Sequence, residues 1–174
     1  CAITSGNGEA SYTPFEEKTL HWHAVLPGLQ LPLLAGKGKK QHFTINTVEL
    51  FHTCTAVGYI ISQQRSKLRP ELKNDDDRTT AANVKAARQR GEEINIIYDN
   101  PIVAFICDTD IRALTTGPHA MQILTCPVVI VECTYLEENM KSEADRRGHI
   151  TWSDLLPLVI NTPNQITFIL IHFS

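Results

Sequence analysis

Three stretches of this chain are almost wholly apolar, and each runs into a single polar residue. Pro101–Asp108 holds six apolar residues and stops at Asp108, with Thr109 and Asp110 following. Pro127–Thr134 runs apolar into Glu132, and Ile166–Ser174 runs apolar into His172. The length and β-branched content of these runs predict buried strands. A carboxylate at the mouth of a buried strand is costly unless a partner or a metal compensates it. Three such ends predict one polar site at the edge of a sheet.

The rest of the pattern alternates strands with helices. Phe43–His52 alternates apolar and polar residues and ends at His52, and Val57–Ile61 reads as the returning strand of a hairpin that presents His52 near its turn. A lone histidine there is more often structural than a ligand. Pro27–Pro32 and Ala35–Lys40 read as turns, and Ile94–Tyr98 as a short strand ahead of the one that ends at Asp108. Thr79–Arg90 is Ala-rich and stops at Gly91, which predicts a capped amphipathic helix. A short helix is expected near Ala120–Leu124. Glu137–Arg147 predicts a charged surface helix, with Glu143 and Arg147 paired one turn apart, ending at Gly148. His149 follows at once, then a helix over Thr151–Val159 capped by Thr151. Strands alternating with helices argue a layered α/β fold.

Less of the chain is informative outside these elements. Residues Cys1–Glu17 read as an irregular N-terminal segment. His21-Trp22-His23 places two imidazoles on one face of a strand, which suits either a zinc pair or a half-exposed strand. Arg65, Lys67 and Arg69 form a small basic cluster that either faces phosphate or lies on a solvated connector. His42 and His119 read as surface residues.

Composition narrows the class without choosing a function. The 174 residues suit a single domain, and 43% hydrophobic with 20% charged residues is ordinary for a globular protein. A net charge of −3 provides no whole-molecule basic field for nucleic acid. The apolar runs are too short to span a membrane as helices. Five cysteines lack any Cys-x-x-Cys spacing, which favours reduced thiols and an intracellular, reducing compartment; cytoplasm, nucleus and organelle are not distinguished. Because the sequence opens at Cys1, the natural N-terminus is expected upstream.

The polar strand ends form an ordered series, His52, Asp108, Glu132, His149 and His172. With the surrounding Phe51-His52-Thr-Cys-Thr-Ala-Val-Gly58-Tyr59, Lys67-Leu68-Arg69-Pro70-Glu71, Phe105-Ile-Cys-Asp108-Thr109, Ile130-Val-Glu132-Cys-Thr134-Tyr135-Leu136, Arg147-Gly148-His149 and Ile171-His172-Phe173-Ser174, it resembles the C-terminal half of the ribonuclease Z family of tRNA 3′-processing endonucleases. The resemblance covers His52 to Ser174. It implies a metallo-β-lactamase-like layered sandwich (αββα), incomplete here, with residues 1–174 forming a single domain from the C-terminal part of that fold. It implies zinc, two ions in the complete site, with His52 and His172 as ligands of different ions and Asp108 bridging them. It also implies that Glu132 and His149 form a hydrogen-bonded catalytic pair, the imidazole protonating the leaving 3′-oxygen.

The same comparison implies what to expect of partners. The family's His-x-His-x-Asp-His motif does not occur in this sequence, and Gln63–Glu93 is short where many members insert a long arm that grips tRNA. The expected substrate is therefore RNA or a small phosphodiester, without a membrane partner. A homodimer or a missing N-terminal half is expected to cover the apolar face of an incomplete sandwich. Two other readings fit the same residues. One is a metal-free interaction or dimerisation half-fold, and the other a metallo-β-lactamase-fold hydrolase of a small ester or phosphodiester.

Overall fold

The structure, a computed structural model, describes residues 26–34, 42–163 and 165–174. The irregular segment expected over Cys1–Glu17, the His21-Trp22-His23 pair and the turn at Ala35–Lys40 lie outside them. Six strands form one sheet in sequence order: β1 (Gln30–Leu34), β2 (His42–Leu50), β3 (Ala56–Leu68), β4 (Asn95–Ile106), β5 (Val128–Glu132) and β6 (Thr167–Ile171). β1 to β4 pair antiparallel, while β4, β5 and β6 run parallel. Parallel neighbours need crossovers. These are supplied by α2 (Arg112–Thr115) and α3 (Ala120–Ile123) between β4 and β5, and by α4 (Lys141–Arg147) and α5 (Trp152–Asn161) between β5 and β6. α1 (Asp77–Gln89) joins β3 to β4. The protein is thus a mixed α/β fold, as the alternation of elements predicts. One sheet is present among the described residues, and the second sheet of an αββα sandwich is not among them.

The core lies on one face of this sheet. Ile60, Ala104, Ile106, Val129 and Val131 pack against Ala113, Leu114, Ile123, Ile150 and Leu155 from the crossover segments. On the opposite face, Tyr59, Phe105, Ile130 and Ile169 pair side by side across β3, β4, β5 and β6. Phe105 and Ile169 there are 39% and 45% exposed.

Several elements differ from the sequence expectation, each for a physical reason. Pro27–Pro32 is not all turn: Pro27 and Gly28 turn, and β1 then begins at Gln30. β1 is an edge strand, where the N–H that proline lacks is dispensable. Ile94–Tyr98 is not a separate strand, because β4 runs unbroken through Pro101. The ladder absorbs that proline with an irregularity, in which Ile61 pairs with Val103 and Ser62 with Pro101. β3 continues past Ile61 through Leu68, so Arg65 and Lys67 lie on a strand and not on a connector. Their stretch pairs only with Asn95–Tyr98, at the end of the sheet away from Asp108. The eight steps from Tyr59 to Lys67 span about 26 Å at strand rise, so the cluster does not face a phosphate held at Asp108. Arg69 pairs instead with Glu71, and Lys67 lies over the Tyr98 ring.

The helix ends follow local chemistry. Asp76 caps α1 by accepting from the Thr79 amide, and Thr151 caps α5 by accepting from the Asp154 amide. Arg147 pairs with Glu143 at 2.5 Å, as the i,i+4 spacing predicts. Both Arg146 and Arg147 hold the Glu143 carboxyl low, at about 2.

Candidate active site

The three apolar runs end side by side. β4, β5 and β6 are adjacent and parallel, so Asp108, Glu132 and His172 collect at their carboxyl ends. That rim is where open α/β sheets place ligands. The loop between β2 and β3 brings His52 to it, and the turn after α4 brings His149. Ring centroids of His52 and His149 are 4.9 Å apart, and those of His149 and His172 are 5.4 Å apart. All five residues singled out from the sequence therefore lie in one region.

Glu132 organises this region from within the core. Its side chain is fully buried and accepts from the Thr109 amide at 2.6 Å, the Thr134 hydroxyl at 2.6 Å, His149 Nδ1 at 2.9 Å and the Ile150 amide at 3.3 Å. A buried carboxylate is tolerable only when its lone pairs are occupied in this way. The four donors come from three segments, so Glu132 ties the end of β4, the end of β5 and the His149 turn together.

The same donors fix the tautomers. His149 gives its Nδ1 proton to Glu132, which leaves Nε2 uncommitted. His52 Nδ1 donates to the Gly148 carbonyl at 3.0 Å, since a carbonyl only accepts, and its Nε2 is likewise uncommitted. Thr134 spends its proton on Glu132, so at 2.9 Å it accepts from His172 Nδ1. In the neutral ring, His172 Nε2 then carries a lone pair, and it stands 3.3 Å from Asp108 Oδ1. Two acceptors face each other there, an arrangement that a proton or a metal cation resolves. Fixing one imidazole nitrogen so that the other is presented is how metal-ligating histidines are held.

The backbone is strained at the same two residues. Among the described residues, Asp108 (φ 53°) and His172 (φ 62°) are the non-glycine residues in the left-handed region. Each such conformation costs on the order of 1–3 kcal/mol, and such strain clusters at functional sites.

Among the described residues, two three-residue groups have ligand atoms within 4.8 Å of one another: Cys107, Asp108 and His172, and Glu132, His149 and His172. The second is spent on hydrogen bonds, because all of Glu132's donors would have to be displaced. The first fits a divalent ion, supplying a thiol, a half-exposed carboxylate and an imidazole with a free lone pair. His52 joins neither group and stands beside His149. Sequence reasoning passed over Cys107, Thr109 and Thr134. Thr134 sits two residues beyond Glu132, a same-face spacing that signals contact, whereas the Thr109 amide contact has no local signal. Burial and the adjacent Asp108 push the Cys107 thiol up. Burial pushes the core thiols of Cys126 and Cys133 up to about 11.

Gly148 locks His52 in place. It has φ 77°, and a Cβ there would lie 3.0 Å from His52 Nδ1 and 3.1 Å from its Cα. Gly148→Ala is expected to cost about 1–2 kcal/mol from the left-handed backbone alone, read by chemical denaturation. It should also break the hydrogen bond that orients His52.

Two clefts border the site, one lined by Asp110, Arg112, Asp145, His149 and Asp154, the other by residues 49–56 with Arg112. Arg112 stands between them, paired with Asp110 at 2.5 Å and lying over the Phe51 ring. No described helix is long and apolar enough to cross a membrane.

No protein-family model and no curated protein sequence matches the chain. Among solved structures, the crystal structure of human tRNase Z, short form, is similar at 13% identity and a TM-score of 0.37, over 82% of this chain and 40% of that one. The chain therefore spans less than half the length of that protein. A superposition this loose fixes no chemistry, and the site stands on its own geometry.

Proposed function

We propose that this chain carries a zinc-dependent phosphodiesterase site of the ribonuclease Z type, acting on RNA or a small phosphodiester. The observation that carries this reading is the meeting of Asp108 and His172, both in strained backbone, beside a histidine whose partner is a buried carboxylate. The order of His52, Asp108, Glu132, His149 and His172 in the sequence supports it. Asp108 and His172 would hold one ion, and His52 would be a ligand of a second through its uncommitted Nε2. A bound zinc lowers the pKa of its water and stabilises charge on the phosphate.

The residues around it have separate tasks. His149, holding its Nδ1 proton on Glu132, would take a proton from solvent at Nε2 and pass it to the leaving oxygen. Glu132 is a positioning residue that fixes the ring's orientation. Hydrolysis of bis(p-nitrophenyl) phosphate and of a short RNA, each with zinc and with a chelator, tests the reading. Zinc-dependent turnover of both is expected. His149→Ala should slow RNA cleavage by about 10²–10⁴-fold and slow the nitrophenyl ester far less, because nitrophenolate leaves without a proton. No zinc-dependent turnover, or equal slowing of both substrates, would contradict it.

A second reading, a metal-free interaction or dimerisation half-fold, is favoured by the partly exposed row Tyr59, Phe105, Ile130 and Ile169. It requires a partner over that face, such as a second copy or an N-terminal half, and no metal at Asp108.

A further inference from the structure

We propose that Cys107 is itself a metal ligand, so that the Cys107 thiolate, the Asp108 carboxylate and His172 Nε2 form a three-ligand site selective for a soft divalent ion. This rests on the metal-dependent reading above and adds a residue to it. Zinc bonds of about 2.0–2.1 Å to N and O and about 2.3 Å to S, set at tetrahedral angles, separate N from O by about 3.3 Å and S from O by about 3.5 Å. In the structure, His172 Nε2 lies 3.3 Å from Asp108 Oδ1, and Cys107 Sγ lies 3.7 Å from the same oxygen. Two edges of a tetrahedron are thus in place before any ion enters. All three ligand atoms lie within 4.8 Å of one another.

The surroundings favour this assignment over a packing role for the thiol. Cys126 and Cys133 are fully buried, and Cys54 is exposed and stands in none of the metal-capable groups. Cys107 is half-buried, at the strand end where Asp108 turns into the left-handed region. That turn brings consecutive side chains to one point, which an extended strand would send to opposite faces. The Thr134 hydroxyl holds His172 Nδ1, so Nε2 offers a lone pair towards Asp108 and Cys107. Binding would release the thiol proton to solvent and leave a fourth position open, the pattern of catalytic rather than structural zinc. Thiolate selects zinc, cobalt or cadmium over magnesium and calcium.

Cobalt(II) titration of the full chain tests the proposal, followed by absorption spectroscopy. A thiolate-to-cobalt charge-transfer band in the near ultraviolet is expected, displaced by zinc and unaffected by excess magnesium. Cys107→Ser should abolish the band and weaken zinc binding by more than the about 10–100-fold typical of losing an outer-shell partner. Cys54→Ser should leave the band intact. Circular dichroism and thermal unfolding verify that each variant folds, and Cys107→Asp, which supplies oxygen in place of sulfur, should shift preference from zinc towards manganese. Cobalt bound without the band, or Cys107→Ser binding zinc as tightly as wild type, would overturn the role of Cys107 and leave the metal-dependent reading standing. No binding of either ion by the wild type would overturn both.

Discussion

Replacing Glu132 with alanine is expected to destabilise the protein by about 3–5 kcal/mol, the range for removing one partner from a buried, paired charge. The cost comes from what is left behind. The Thr109 and Ile150 amides, the Thr134 hydroxyl and His149 all donate to this one carboxylate. Each loses its acceptor in a place water reaches poorly. Glu132→Gln keeps the volume but offers one acceptor oxygen and an unwanted donor, so it should fall between wild type and alanine. Urea denaturation of the three proteins gives the series. A loss below about 1 kcal/mol for alanine would mean the network contributes no more than one ordinary hydrogen bond.

The second large effect is at Asp108, and it has an unusual sign. Asp108→Gly should abolish metal binding while leaving stability unchanged or raising it by up to about 1 kcal/mol, because glycine adopts the left-handed backbone at little cost. Aspartate at φ 53° keeps a strained backbone, and its carboxylate faces the His172 acceptor 3.3 Å away. Neither feature helps an empty fold. Denaturation curves and metal titration on the same preparation separate the two quantities. A variant that loses stability and retains metal would show that Asp108 is structural.

How much of this was legible in the sequence depended on which contacts are local. The ends of β4, β5 and β6 were legible because each apolar run is short, β-branched and stopped by one polar residue. Parallel adjacency then turns three separate run-ends into one rim. The cap at Thr151 and the stop at Gly148 were visible because capping chemistry acts over three or four residues.

What could not be read depends on partners distant in sequence. The far half of β3, Gln64-Arg65-Ser66-Lys67, has no apolar alternation, because it pairs with β4 alone and both are largely exposed there. Its strand character is imposed by the neighbouring ladder. β4 carries Pro101 because β3 yields an irregularity opposite it. At the site, residue types suggested the chemistry, but the tautomers of His52, His149 and His172 follow from partners 96, 17 and 38 residues away. In the sequence Cys107 is the last apolar residue of a run. Its meaning depends on the left-handed turn at Asp108, which no local pattern announces.

The most direct test is zinc per chain by elemental analysis, after dialysis against zinc and then metal-free buffer. The account predicts at least one ion retained per chain, and none in Asp108→Ala. A wild-type chain that retains no zinc, or an Asp108→Ala variant that retains as much as wild type, would contradict a metal centre at the ends of β4 and β6.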